Sequence, residues 1–228
     1  MARQRPKQLE LELPKWGGKR KGAGRKPKNP NTDRKGPGVS HLKRSHLNGR
    51  WPLHVTLRTR REVWNLRSHR SLRKIAKPLY KGNRRDDFRL IEFSIQGNHL
   101  HFIVEAETSR ALSRGMQGLE IRIARALNTM MSRHGAVFAD RFHARVLRTP
   151  TEVAHARSYV LGNFAHHAAQ RGVKLPKDCR DPYSSQGIAT HPIYLELVLE
   201  LTRARAPTGP PPFCARPTVW LLRNGRAD

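Results

Sequence analysis

Two short motifs in this chain could carry chemistry. In Asn98-His-Leu-His-Phe-Ile-Val-Glu105, His99 and His101 stand two residues apart. On a strand that spacing sends both imidazoles to one face, while Leu100, Phe102 and Val104 fill the other. Two imidazoles so placed can chelate one cation. Sixty residues beyond His99, Tyr159-Val-Leu-Gly-Asn163 sets a phenol and a carboxamide four apart. On a helix, residues four apart lie one above the other, so both groups point the same way. Taken singly, each motif also has a plain reading, as a structural or solvent-facing histidine pair and as a core tyrosine beside a solvated amide.

The elements that would have to position these groups are legible in the apolar pattern. Leu53, Val55 and Leu57 alternate with His54, Thr56 and Arg58, the period of a half-buried strand. A helix is predicted from about Leu66 to Leu79, ending at Pro78. A strand over Arg89–Ile95 places Ile91, Phe93 and Ile95 on one face and Glu92 and Ser94 on the other. Gln96-Gly97-Asn98 supplies turn residues, and the histidine strand, His99–Glu105, completes a hairpin. From Ser109 to about Arg133, Leu112, Met116, Leu119, Ile123, Leu127 and Met130 mark one face of an amphipathic helix closed by Gly135. Val137–Leu147 reads as a further strand, with Arg141, His143 and Arg145 on one face. Thr149-Pro-Thr-Glu152 has the form of a capping box opening a helix over Pro150–Gln170, with Glu152 reaching back. The order implies an α+β fold, an antiparallel sheet with helices on one face.

Charge narrows the partner. Of 228 residues, 45 are Lys or Arg and 17 are Asp or Glu, leaving +28 at neutral pH and a pI near 11.6. Such an imbalance points to a polyanion. Fifteen of the cations fall in residues 1–50, against three acids. That stretch is read as a largely disordered basic arm. Within it, Gly22-Ala-Gly-Arg-Lys-Pro27 has a minor-groove arm's composition, with Arg25 and Lys26 as contacts; a counterion-releasing tail is the alternative. Residues 51–175 form the main domain, and 176–228 an extension with a Pro-rich linker at 206–212 and an apolar Thr218–Leu222 able to dock back. No run approaches a membrane span and no signal peptide opens the chain, so a soluble, cytoplasmic protein without a membrane partner is expected. Cys179 and Cys214 form no zinc or disulfide pattern.

Taken together the motifs resemble the REP-associated tyrosine transposase family, within the single-tyrosine branch of the HUH nucleases. The likeness runs from about Trp51 to Ala168. Besides His99-Leu-His101 and Tyr159 with Asn163, it includes Gly115-Met-Gln-Gly-Leu119, Asn128, Gly135-Ala-Val-Phe138, Arg141-Phe-His143 and Ser158-Tyr-Val160. It implies a ferredoxin-like, RRM-like sheet that binds single-stranded and hairpin DNA. By this resemblance His99 and His101 match metal-binding histidines, Tyr159 the nucleophile, and Asn163 the polar residue that completes the site. Many insertion-sequence relatives carry Gln where this chain has Asn163.

The implied chemistry is metal-dependent endonuclease and strand-transfer activity through a 5′-phosphotyrosine. Imidazoles and an amide oxygen suit Mg²⁺ or Mn²⁺, with Mn²⁺ the more tolerant of nitrogen. Arg122, Arg125, Arg141, Arg145 and Arg148 are candidate contacts to the DNA backbone, with a solvated charged face as the alternative. His54, His143, His166 and His167 are further polar candidates, read first as structural or nucleic-acid contacts. A non-cleaving nucleic-acid-binding module of RRM-like fold is the rival function. Monomer and homodimer with an exchanged tyrosine helix both remain open.

Overall fold

The structure, a computed structural model, describes residues 46–82, 85–176, 178–202 and 213–224. The basic arm through residue 45, with Arg25 and Lys26, and the Pro-rich linker lie outside the described residues. The elements run β1 (Leu53–Arg58), α1 (His69–Gly82), β2 (Phe88–Ile95), β3 (His99–Ala106), α2 (Ser109–Met130), β4 (His143–Val146), α3 (Pro150–Gln170), α4 (Tyr194–Thr202) and α5 (Trp220–Asn224). The strands form one antiparallel sheet in the order β2-β3-β1-β4, as the α+β pattern predicts and in the ferredoxin-like arrangement that the family resemblance implies.

One face of this sheet is closed by apolar packing. Leu53, Val55 and Leu57 of β1 and Leu100, Phe102 and Val104 of β3 are at most 1% exposed, together with Leu72, Ile75 and Leu79 of α1 and Met116, Leu119, Ile123 and Leu127 of α2. The alternation of strand residues and the three- and four-residue spacing of helix residues produce that burial directly. Thr108 caps α2, its side chain accepting from the Ala111 N–H at 3.1 Å. At Gly115 a Cβ would lie 2.3 Å from the Phe88 ring, so only glycine lets α2 approach β2 this closely. The segment after residue 175 shares the core through Ile188, Leu197 and Phe213.

The expectation of helices on one face holds for α1 and α2, while α3 lies across the other. There Val153, Ala156 and Val160 pack on Ile91, Ile103 and Leu147. A β-bulge makes this possible. Leu90 faces Val104 and Glu92 faces Ile103, which leaves Ile91 as the extra residue in β2. Ile91 therefore joins Glu92 under α3 instead of sharing the face of Phe93 and Ile95, as strict alternation predicted.

Other boundaries shift for local reasons. α1 continues through Pro78 to Gly82, because burial of Leu72, Ile75, Ala76 and Leu79 outweighs the hydrogen bond that proline cannot donate. α2 stops at Met130, short of Arg133, and Ser132 takes a φ of 51° before Gly135 at 95°. β4 is only four residues long, so Arg141 precedes it instead of sharing its face with His143 and Arg145. The C-terminal apolar segment docks under α3, with Leu221 and Leu222 buried in the smaller cluster and buried Glu105 accepting from the Thr218 and Val219 N–H groups.

Candidate active site

The sheet face beneath α3 is apolar at one end and polar at the other. His101 on β3 is flanked by Thr56 on β1 and Ser94 on β2, and His143 on β4 follows Thr56 in the same row. His54 neighbours this row diagonally, and its Nε2 lies 3.2 Å from His101 Nδ1. Thr56 Oγ1 lies at the same distance from that nitrogen. His99 completes the cluster, its ring centroid 4.7 Å from that of His101 and perpendicular to it.

α3 brings the second motif onto this cluster. Its N-terminus is fixed by Thr149, whose side chain accepts from the Glu152 N–H at 3.1 Å, with Pro150 in the first turn. The Glu152 carboxylate reaches back to the Arg148 N–H at 2.6 Å, one residue before the cap, and pairs with Arg145 at 3.0 Å. Midway, Arg157 donates twice to Glu92 Oε1 at 2.9 and 2.6 Å, clamping the helix to the bulge of β2. Val153, Ala156, Val160 and Asn163 form the buried stripe of the helix, so Asn163 occupies a core position at 3% exposure. Tyr159 sits beside that stripe, 51% exposed. Its ring stands edge-on to His101 at 5.2 Å and to His54 at 5.8 Å between centroids.

The imidazoles are held neutral. Burial, then the neighbouring His99, His54 and His167, pushes His101 down to about 3; burial, then His143 and Arg145, brings His54 to about 4. His99 is lowered too, by burial and then by His167 and Arg58. The hydrogen-bond network assigns the tautomers. His101 Nε2 is buried with no partner among the described residues, whereas Nδ1 has two. A proton on Nε2 would be a buried donor without an acceptor, costing about 1–3 kcal/mol. The proton belongs on Nδ1, and Nε2 keeps a free lone pair. His99 Nδ1 likewise donates to Asn98 Oδ1 at 2.7 Å.

Two neutral imidazoles offer nitrogen donors to a divalent cation. Both histidines have the second ring nitrogen tied to a neighbour, as metal-binding imidazoles do. The buried Asn163 carboxamide, with its Nδ2 unpartnered, adds a neutral polar group on the helix above. Among the described residues no group of three or more His, Cys, Asp and Glu side chains is arranged to hold a metal ion. A cation here would rest on the two imidazoles, whose chemistry fits one, and an amide ligand would have to come from the oxygen of Asn163, its nitrogen being a donor.

The candidate DNA-contact arginines divide between layers. Arg145 flanks the histidine rows but is engaged by Glu152. Arg148 follows β4 and lines a cavity of about 190 Å³ with His46, Leu47, Asn48, Trp51 and Val146. Arg141 lies in the loop before β4, its N–H donating to Asp140 Oδ1. Arg122 and Arg125 belong to α2, on the opposite face of the sheet from Tyr159. Burial and then Arg85 lower the pKa of Arg122. His166 and His167 lie near the end of α3, each beside Gln170. The residue most underweighted by sequence is His54. Its outward register on β1 was visible, but its contact with a residue 47 positions away was not.

This geometry defines a polar, tyrosine-bearing site on a ferredoxin-like sheet. The family model for IS200-like transposases matches residues 50–163, half the chain, and the chain belongs to that family. Membership supports a transposase-like function directed at DNA. Among solved structures, the chain is similar to a REP-associated tyrosine transposase bound to a REP hairpin, with 16% identity, a TM-score of 0.47, and coverage of 57% of this chain and 74% of the other. A proposed transposase from Deinococcus radiodurans R1 is similar at 9% identity and a TM-score of 0.37, covering 61% of this chain and 100% of the other. A bacterial tRNA-His guanylyltransferase-like protein in complex with GTP has 13% identity and a TM-score of 0.39, over 58% of this chain and 72% of its own. Comparison with curated proteins finds no match. Among the described residues, no helix is long and apolar enough to cross a membrane.

Proposed function

We propose that this chain is a metal-dependent single-stranded DNA endonuclease and strand transferase that acts on hairpin DNA through a 5′-phosphotyrosine at Tyr159. The observation that carries this reading is the edge-on approach of the Tyr159 ring to the buried His101 ring, 5.2 Å between centroids, within one chain.

In this reading His99, His101 and Asn163 hold Mg²⁺ or Mn²⁺. When bound, the cation supplies Lewis acidity at the scissile phosphate, worth several kcal/mol of charge stabilisation. The chain's own groups do the rest. His54 and Thr56 keep the His101 proton on Nδ1, and Asn98 does the same for His99. Tyr159 is exposed enough for a phosphodiester to reach its hydroxyl. The phenolic oxygen forms a bond to phosphorus as the bond to the 3′ oxygen breaks. The phenol loses its proton, and the departing 3′ oxygen gains one. Because the phosphodiester is replaced by a phosphotyrosyl ester, rejoining to another 3′-OH needs no outside energy source.

Incubating the protein with a hairpin oligonucleotide carrying single-stranded flanks and Mg²⁺ or Mn²⁺, then resolving the mixture on a denaturing gel, tests this directly. Wild type gives a covalent species, whereas Tyr159→Phe binds the hairpin with unchanged affinity and gives none. Binding without an adduct in wild type would make the protein a non-cleaving module. An adduct persisting in Tyr159→Phe would move the nucleophile elsewhere.

A further inference from the structure

Arg67, in the loop before α1, is the centre of a stack of side chains that reaches from α3 to α1. Its guanidinium lies 4.5 Å from the Phe164 ring centroid of α3 and 4.5 Å from that of Tyr183. Tyr183 is met edge-on by His191 at 5.0 Å, and His191 by His69, the first residue of α1, at 4.8 Å. Asp181 fixes the plane of the guanidinium. Its two carboxylate oxygens accept from Nη1 and Nη2 at 2.8 and 2.7 Å, and Nη1 also donates to the Ile95 carbonyl at 2.9 Å. The side chains of this ion pair are 17% and 1% exposed. A fork held between two rings and shielded from water is the setting in which a cation–π contact is strongest.

The stack grips α3 beside the candidate site. Phe164 directly follows Asn163, the last residue of the helix's buried stripe. Tyr159 therefore lies between Arg157, clamped to Glu92, and Phe164, stacked on Arg67. Successive helix residues are turned by about 100°, so rotating α3 enough to withdraw Tyr159 or Asn163 from the histidines would drag Phe164 off the guanidinium. The opposite end of the stack is equally anchored. Asp181 Oδ1 accepts from the Tyr183 N–H at 3.0 Å, the Tyr183 carbonyl accepts from the Ile95 N–H at 2.8 Å, and the Ser185 N–H donates to the Phe93 carbonyl at 2.9 Å. These bonds lay the segment along the outer edge of β2, where Ser94, the cross-strand neighbour of His101, stands between Phe93 and Ile95. The support thus comes from the C-terminal extension, outside residues 51–175, which carry both motifs.

We propose that Arg67 is a positioning residue for the Tyr159 reaction. Held by Asp181 and stacked between Phe164 and Tyr183, it fixes the far half of α3 so that the phenol and the Asn163 carboxamide stand over the histidine cluster. The inference rests on the reading of Tyr159 as nucleophile, and it makes the C-terminal extension a working part of the site. A merely structural ion pair would need only the charge of Arg67, which lysine supplies. A residue that aims the helix needs the plane as well, because an ammonium neither bonds two carboxylate oxygens as a fork nor lies flat between two rings. Direct contact with DNA is the less suitable role, since Asp181 engages both terminal nitrogens and two rings cover the faces.

The test compares Arg67→Lys and Phe164→Leu in the full chain. Phe164 is half-buried, so Phe164→Leu leaves the ion pair and the fold in place whatever Arg67→Lys does to stability. Hairpin affinity should stay within about twofold of wild type in both, because lysine keeps the charge and leucine alters none. Single-turnover adduct formation at saturating hairpin should slow by about tenfold or more in each, as when a reacting group is misplaced by about 1 Å. The double variant should be about as slow as the slower single one, since both substitutions remove the same contact. A readout that needs no chemistry is the nuclear Overhauser contact between the Tyr159 and His101 rings, whose centroids are 5.2 Å apart. It should weaken in both variants, while amide exchange at the start of α3 stays as in wild type. The proposal is overturned if Phe164→Leu forms adduct at the wild-type rate, if the two losses multiply in the double variant, or if the ring contact is unchanged. It is overturned equally if hairpin affinity falls in step with the rate, which would put Arg67 at the DNA. Absence of any adduct in wild type would refute the endonuclease reading, and the ring contact would then decide by itself whether Arg67 places Tyr159.

Discussion

The two faces of the sheet use the same strands for opposite purposes. Toward α1 and α2, β1 and β3 contribute Leu53, Val55, Leu57, Leu100, Phe102 and Val104, all but sealed from solvent. Toward α3, the same strands contribute His54, Thr56, His99 and His101. Nothing about the backbone differs, since alternate residues of one strand build both. The closed face satisfies the apolar side chains completely, whereas the α3 face buries an imidazole nitrogen, a carboxamide nitrogen and a carboxylate oxygen of Glu92 that have no partner among the described residues. A buried polar group costs free energy unless bonded. The closed face thus holds the fold together, and the other face gives up some of that stability to bury polar groups.

Substitutions should separate the two faces by the size of their effect on stability. The largest effect belongs to the closed face. Phe102→Ala removes a fully buried ring at the centre of the sheet and should cost about 3–5 kcal/mol in urea unfolding. A loss under about 1 kcal/mol would mean that the two faces do not divide the work in this way.

Next comes the joint between them. Glu92 is 8% exposed, its Oε2 has no partner among the described residues, and Arg157 bonds its other oxygen. Arg157→Met leaves that carboxylate uncompensated and should cost about 2 kcal/mol, less than the roughly 3–5 of a fully buried pair because Arg157 keeps some solvent. Adduct formation should fall with it, since Tyr159 is half a turn further along the same helix. Retained stability with lost activity would instead give Arg157 a role at the DNA.

At the histidines of the α3 face the effect on stability all but vanishes. His101→Leu replaces a buried imidazole carrying an orphan nitrogen with an apolar side chain. It should leave unfolding free energy within about 1 kcal/mol of wild type while eliminating metal-dependent cleavage. A loss as large as that of Phe102→Ala would make His101 a structural residue and weaken the active-site reading.

How much of this was legible in the chain depended on whether the signal was local. Both ends of α3 could be placed because Thr149 and Pro150 mark its start and Gly172, which takes a φ of 75°, stands just beyond its end. The hairpin of β2 and β3 followed from a turn flanked by alternation. Ile91 was misplaced because a bulge leaves no trace in a period-two pattern; it appears only when Glu92, and not Ile91, is found opposite Ile103. α1 passed through Pro78 because contacts with α2, distant in sequence, decide that residue's conformation. For the site, His99 and His101 were visible as a pair because one strand carries both. His54 was underweighted because its neighbour is supplied by sheet order. The split of the arginines between layers likewise depended on α3 crossing to the face that α1 and α2 leave open.

The smallest effect tests how α3 is aimed. The Glu152 carboxylate accepts from the Arg148 N–H and from the Arg145 side chain, and the Arg148 N–H, then Arg145, lowers its pKa. A carboxylate whose folded pKa is depressed contributes stability above its unfolded pKa and loses it as pH falls through the folded one. Near neutral pH the start of α3 should therefore be fully tethered, and below about pH 4 it should loosen as Glu152 takes up a proton. Amide exchange across residues 150–156 should accelerate over that interval in wild type. In Glu152→Gln it should be fast already at neutral pH and should lack the acid step. The tether matters because Tyr159 lies only two turns from this anchor. A helix start that frays blurs the position of the phenol, so single-turnover adduct formation in Glu152→Gln should slow by a few fold, with hairpin affinity unchanged. Exchange that is equally slow in both proteins would show that the clamp of Arg157 on Glu92 sets the aim of the helix without the tether, and that the boundary between the two faces is fixed at the bulge.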